Sequence, residues 1–242
     1  MNTILNALHY PVARARAHFY PRYDDVRTLF LEMIVRHSKP DARVLELGCG
    51  RYSYATPARE FCREVIGVEP SPSVRDNAWV DYRVRGDIYH VPLPANSVDL
   101  IILRYVMEHL ERPLDALREA GRVLRPGGKM VLLTPNRRHY VPLFALLLPA
   151  WFKRWYLGRC GYSDEENFPT LYRANTPRAL RKAAEPAGLR LVELELVEGP
   201  PAYLDGTLLT YLLGIAYERV VNRFSTLAGF RVGMMATLQK SV

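Results

Sequence analysis

Four short, largely apolar runs constrain the architecture most: Val44–Leu47, Val65–Val68, the start of 98-VDLIILRYV-106, and 129-KMVLLTP-135. Runs of this length without polar alternation suit strands buried on both faces, which is the situation inside a parallel sheet covered by helices. Stretches of helical period separate them. Val26, Leu29, Phe30, Met33 and Ile34 recur at helical spacing and stop near Ser38-Lys39-Pro40, while Leu114, Leu117, Gly121 and Leu124 mark a helix ended by Arg125-Pro126-Gly127-Gly128. A helix is expected around Pro57–Arg63 and a short strand around Tyr82–Arg85. Thr176 before Pro177 reads as an N-cap and first turn. That helix ends at Gly188, and strands follow at Leu191–Val197 and 232-VGMMATLQK-240. Strand alternating with helix predicts an α/β fold, doubly wound about a mostly parallel sheet.

The 242 residues carry no Ser/Gly-rich or Pro-rich linker, so residues 1–242 read as one domain. Residues 1–37 would cap it with helices, and segments 138–175 and 200–230 interrupt the alternation as apolar insertions. The uncharged cores of these insertions, Tyr140–Phe152 and Gly206–Tyr217, are too short to span a bilayer as helices. The N-terminus lacks the basic start and apolar run of a secretory signal. Three cysteines (Cys49, Cys62, Cys160) without CxxC spacing argue against a disulfide framework or a zinc site and point to a reducing, cytoplasmic setting. The net charge of +8 suits an anionic partner, either nucleic acid or an anionic membrane surface, but it is spread along the chain as on an ordinary solvated face.

Ligands of open α/β sheets bind beyond the carboxyl ends of the strands, near the reversal of strand order. There Gly48 and Gly50 follow the first strand, Glu69 ends the second and Asp87 ends the third, where it could accept from an exocyclic amine of a base. Glycines permit close backbone approach, and a carboxylate can accept both hydroxyl protons of a ribose. A nicotinamide dinucleotide wants glycines and a similarly placed acid, yet its third glycine is replaced here by Ser53 in GCGRYS. The loop alone leaves both ligand classes open.

ELGCG, VIGVEPS, GDIYHVPLPANSVDLIILRYVMEHL and LREAGRVLRPGGKMVLLTPN, in that order over about residues 40–137, resemble the class I S-adenosylmethionine-dependent methyltransferases, in particular their quinone-biosynthesis-like type 11 branch. The resemblance implies a Rossmann-like methyltransferase fold with a seven-stranded sheet and S-adenosyl-L-methionine as cofactor. It implies that Glu46, Gly48 and Gly50 surround the amino-acid end of that cofactor, that Glu69 binds the ribose hydroxyls, that Asp87 and Ile88 hold the adenine, and that Arg104 lies near the methionine portion. His109, in 107-MEHL-110, becomes the candidate general base for a hydroxyl acceptor.

Some quinone-pathway relatives use E-x-x-E-H at this point for a divalent cation. This chain reads Y-V-M-E-H, with Tyr105 at the first acidic position, so no metal is expected. The (D/N)PPY-type turn of base-amino methyltransferases is missing after the fourth strand, which reads RYVM. Nucleic acid is therefore disfavoured as acceptor, and a small or lipid-linked hydroxyl is favoured. The insertions would arch over the acceptor pocket. Leu143, Phe144, Leu146, Leu147, Trp151 and Phe152, flanked by Lys153-Arg154, suit either a packed lid or dimer face, or an interfacial segment that docks on an anionic membrane. Tyr10, His18, Tyr20 and Tyr23 are candidates for a pocket wall. The competing classes are a nicotinamide-dependent oxidoreductase and a non-catalytic interaction module that keeps the fold.

Overall fold

The computed structural model describes residues 2–21, 26–53, 56–149, 151–152, 169–201 and 204–241. Tyr23, Lys153, Arg154 and Cys160 lie outside them, as does the side chain of Tyr10. Seven strands form one sheet in the order β3-β2-β1-β4-β5-β7-β6: β1 (Arg43–Leu47), β2 (Glu64–Glu69), β3 (Tyr82–Arg85), β4 (Val98–Arg104), β5 (Leu124–Pro135), β6 (Leu189–Val197) and β7 (Gly233–Lys240). The pairings from β3 through β5 are parallel, and one antiparallel hairpin completes the sheet. The four apolar runs thus occupy β1, β2, β4 and β5. In β1, β2 and β4 nearly every residue is buried, as strands covered on both faces require, whereas edge strand β3 is mostly exposed.

Strand order reverses between β1 and β4, because β1 continues to β2 on one side and pairs with β4 on the other. Helix α2 (Val26–His37) buries Phe30, Met33 and Ile34, the stripe expected from periodicity. The helix expected over Pro57–Arg63 is shorter, α3 (Thr56–Arg59). Arg63 N donates to Ala42 O at 2.9 Å, so the chain has already turned back toward the sheet before β2 begins. Helix α4 (Pro113–Val123) buries Ala116, Leu117, Ala120, Gly121 and Val123. Its Gly121 permits close packing, since a Cβ there would lie 2.9 Å from Ala187 O. Helix α6 (Pro177–Ala184) starts as expected, with Thr176 Oγ1 accepting from Ala179 N, and the turn after it closes on Gly188 at φ 73°.

The chain divides into two compact units. One comprises Arg27–Pro135, Pro169–Glu195 and Met234–Val242 and contains most of the sheet. The other comprises Met1–Val26, Asn136–Phe168 and Leu196–Gly233, and so gathers the N-terminal segment with most of both insertions. In the second unit α1 (Asn2–Phe19) packs on α7 (Leu208–Arg223), with Val12 against Tyr211 and Ile215. The same unit holds α5 (Tyr140–Leu147), capped by His139. No helix among the described residues is long and apolar enough to cross a membrane.

Candidate functional site

The eight residues singled out from sequence all fall in the sheet unit, at the carboxyl ends of β1, β2 and β4 and in the turns just beyond these strands and β3. The register sets them side by side: Leu47 pairs with Val68 and with Leu103, so Gly48, Glu69 and Arg104 each continue one of three adjacent strands. Gly48 and Gly50 have φ of +72° and +53°, the left-handed region that glycine enters without penalty. Their surroundings differ. A Cβ on Gly48 would sit 2.4 Å from Val106 Cγ2, whereas a Cβ on Gly50 would meet nothing within 4 Å. Gly48 is needed for internal packing, and Gly50 borders open space that a ligand can enter.

Two buried carboxylates flank this loop. Glu69, 7% exposed, accepts Gly50 N on Oε2 and Ser71 N on Oε1, both at 3.1 Å. A carboxylate offers about four acceptor positions, so each oxygen retains capacity for a hydroxyl donor while the backbone fixes its orientation. Glu46, 2% exposed and next to last in β1, accepts from Ser53 Oγ. The residue replacing the third glycine thus orients an acid, a role its side chain alone makes possible. The thiol of Cys49 is pushed up to about 12, first by burial and then by Glu46 and Glu69, so it stays protonated and takes no part in nucleophilic chemistry.

Asp87 is exposed, one turn beyond β3, and its Oδ1 accepts Tyr89 N at 3.0 Å. Gly86 N donates to Glu69 O at 3.1 Å, which places the Asp87-Ile88 turn beside the end of β2. Arg104 closes β4 with its guanidinium 4.7 Å from the centre of the Tyr105 ring. Tyr105 itself holds φ +52°, strained for a residue with a Cβ.

His109 ends the short turn Met107–His109. Its Nδ1 lies 3.1 Å from Pro169 O. A carbonyl only accepts, so Nδ1 carries the proton and Nε2 is the basic nitrogen of the neutral ring. Next to it Glu108 is buried, and burial holds its carboxyl above the ordinary range despite the neighbouring His109, Thr134 and Arg104. Thr134 Oγ1 donates to Glu108 Oε2 at 2.9 Å, and Asn175 Nδ2 donates to Thr134 Oγ1 at 2.5 Å. Leu171 N and Tyr172 N both donate to Glu108 O, at 2.7 and 3.1 Å. Residues 169–175 are thereby strapped onto the turn that carries His109.

Several contributors are not visible as motifs. Asn77, fully buried, donates from Nδ2 to Gly50 O at 3.0 Å and to Cys49 O at 3.3 Å, clamping the loop from below. Gly67 in β2 makes room for Cys49, whose Sγ would lie 2.7 Å from a Cβ there. An Asn after an Asp reads locally as a turn former, and nothing near it in sequence announces a bond made 27 residues away. No group of three or more His, Cys, Asp or Glu side chains suited to a metal ion exists among the described residues.

The sequence profile of the methyltransferase-domain family matches residues 15–194. A protein of Mycolicibacterium smegmatis described as a "Probable S-adenosylmethionine-dependent methyltransferase" is 37% identical over 103 residues, covering 41% of this chain and 40% of its own length. The ubiquinone biosynthesis O-methyltransferase of Xanthomonas campestris pv. campestris is 31% identical over 111 residues, covering 42% and 46%. The chain therefore spans less than half the length of these two curated relatives. Among solved structures, an S-adenosylmethionine-dependent methyltransferase from Mesorhizobium loti superposes with a TM-score of 0.56 at 16% identity, covering 88% of this chain and 97% of that one, which shows the shared fold. With the profile matching most of the chain, this protein belongs to the methyltransferase-domain family.

Proposed function

We propose that the chain binds S-adenosyl-L-methionine at the β1–β2 edge and passes its methyl group to a hydroxyl oxygen of a small or lipid-linked acceptor. The observation that carries this reading is the pair of buried carboxylates, Glu46 and Glu69, on either side of a loop whose Gly50 opens to free space. Glu69 suits the ribose of either cofactor, but Glu46 beside the loop would repel the pyrophosphate of a dinucleotide, whereas a sulfonium with an ammonium on its tail is a cation it attracts. A nicotinamide cofactor therefore fits this loop poorly.

When bound, the cofactor supplies a methyl group on positively charged sulfur, already a good electrophile. The residues have the remaining work. Glu46 and the Gly48–Gly50 backbone would hold the amino-acid end, and Glu69 would accept from the ribose hydroxyls. Asp87 and Ile88 would border the adenine, and Arg104 the methionine portion. His109 would take the acceptor's hydroxyl proton on Nε2, the nitrogen that its bond to Pro169 leaves basic. The acceptor's proton would leave on His109. The similarity to an O-methyltransferase of ubiquinone biosynthesis supports the hydroxyl acceptor.

Titration calorimetry with S-adenosylhomocysteine and with NAD tests the reading. Heat with the first and none with the second is expected, and the reverse would overturn it. Incubation of candidate hydroxylated acceptors with isotopically labelled cofactor, followed by mass spectrometry, would then identify the methylated product.

A further inference from the structure

We propose that the unit built from the N-terminal segment and the two insertions is a docking surface for an anionic phospholipid membrane. Two observations within that unit support it. The first is its exposed apolar load. In α5, Leu143, Phe144, Leu146 and Leu147 are all exposed, Leu147 at 77%, and Trp151 follows at 67%. In α7 the buried face carries Tyr211, Gly214, Ile215 and Glu218, yet the opposite face is apolar too, with Leu208, Leu209, Leu212 and Leu213 exposed and no charge from Gly206 to Tyr217. Scattered exposed leucines are ordinary, but this many on two helices of one small unit mark an interaction surface.

The second observation is how the charges are sorted. Among the described residues of this unit the acidic side chains turn inward: Glu218 is buried, the Glu198 side chain is only 4% exposed, and Asp205 is half-buried. Asp24, Asp25 and the acids of 164–166 lie outside the described residues. Most of the arginines turn outward: Arg14, Arg16, Arg137, Arg138, Arg219 and Arg223 are exposed, while Arg231 is half-buried. Arg137 and Arg138 immediately precede α5, and no acidic residue occurs in the sequence from Ala120 to Ser163. Apolar side chains with a cationic, indole-bearing border match the boundary of an anionic bilayer, where the rings and leucines enter the acyl edge and the arginines meet phosphates. A second copy of the chain fits worse, since a two-fold contact would bring one cationic border against another.

Docking gives the lipid-linked branch of the proposed function its purpose, but it is measured without cofactor, so the two can fail separately. The experiment is co-sedimentation of the full chain with vesicles of phosphatidylglycerol and phosphatidylcholine, and with phosphatidylcholine alone. Binding is expected only to the anionic vesicles and to weaken with salt. Arg137→Gln/Arg138→Gln should lower the partition coefficient roughly thirtyfold, the loss for two cationic side chains near an anionic surface. Leu209→Ser/Leu213→Ser, at exposed positions that leave folding intact by circular dichroism, should also abolish recovery. Equal binding to neutral vesicles, unchanged binding of both variants, or a salt-resistant dimer by light scattering that those leucine substitutions dissociate would each overturn the proposal. Vesicle binding by a chain that takes up no S-adenosylhomocysteine would refute the methyl-transfer reading and leave docking standing.

Discussion

Asn77 holds the Gly50 carbonyl at 3.0 Å from a fully buried position, so the shape of the glycine loop depends on a side chain that would touch no ligand. Replacing it by Ala leaves the carbonyls of Cys49 and Gly50 without that donor, at a cost of about 1–3 kcal/mol. Asn77→Ala should lower the urea midpoint, and calorimetry should show weaker S-adenosylhomocysteine binding even where the protein is fully folded. Unchanged affinity in the folded variant would show that the loop keeps its form unaided.

The two loop glycines separate packing from ligand approach. Gly48→Ala forces a methyl to 2.4 Å from Val106 Cγ2 at φ +72°, so a loss of about 2 kcal/mol or more is expected. Trimming the neighbour in Gly48→Ala/Val106→Ala should recover part of it. Gly50→Ala meets open space and carries only the strain of φ +53°, about 1 kcal/mol. Its main effect should be on cofactor affinity. Thermal denaturation and calorimetry on the three variants check the split.

Glu69→Gln is not a mild change here. Both carboxylate oxygens accept a backbone N–H, from Gly50 and from Ser71, so an amide must turn its NH2 toward one of these donors. Affinity for S-adenosylhomocysteine should fall on the order of tenfold to a hundredfold, as for other hydrogen bonds to charged groups. A tight-binding Glu69→Gln variant would remove Glu69 from the proposed ribose contact.

Much of this was legible from the chain because the signals are local. Buried strands need apolar runs, and a loop entering the left-handed region needs glycine, so β1, β2, β4 and the Gly48–Gly50 turn follow from short windows. The Asn77 clamp, the pocket that Gly67 makes for Cys49 and the bond from His109 to Pro169 join residues 27, 18 and 60 positions apart. No periodicity carries such pairings. The same holds for the second unit, where Val12 finds Tyr211 across nearly the whole sequence, and where the inward turn of Glu198 and Glu218 cannot be told from composition.

His109 should matter to turnover rather than to cofactor binding. With Nδ1 committed to Pro169 O, His109→Ala would remove the proposed base at Nε2, and kcat should fall roughly a hundredfold to ten-thousandfold, with S-adenosylhomocysteine affinity unchanged. If kcat is unchanged in the variant, the proton goes elsewhere.

The buried pair His139 and Glu198 gives the second unit a stability profile with a calculable sign. His139 caps α5 by accepting Val141 N on Nδ1, and its Nε2 lies 3.4 Å from Glu198 Oε2. Burial lowers His139 to about 3 and raises Glu198 to about 7. For Glu198 the folded state keeps a proton that the unfolded chain gives up near 4.5, so this group's stabilisation falls as pH rises from 4.5 to 7. For His139 the folded state refuses a proton that the unfolded chain takes up below 6.5, so its contribution grows as pH rises from 3 to 6.5. The two slopes oppose each other between 4.5 and 6.5 and leave the wild type nearly flat there. Glu198→Gln removes the falling limb alone. Its stability relative to wild type should therefore climb between pH 4.5 and 7, by an amount on the order of 3 kcal/mol. Urea titrations at pH 4.5, 5.5, 6.5 and 7.5 read this directly, and a difference that stays constant across the series would mean that Glu198 is already ionised in the fold.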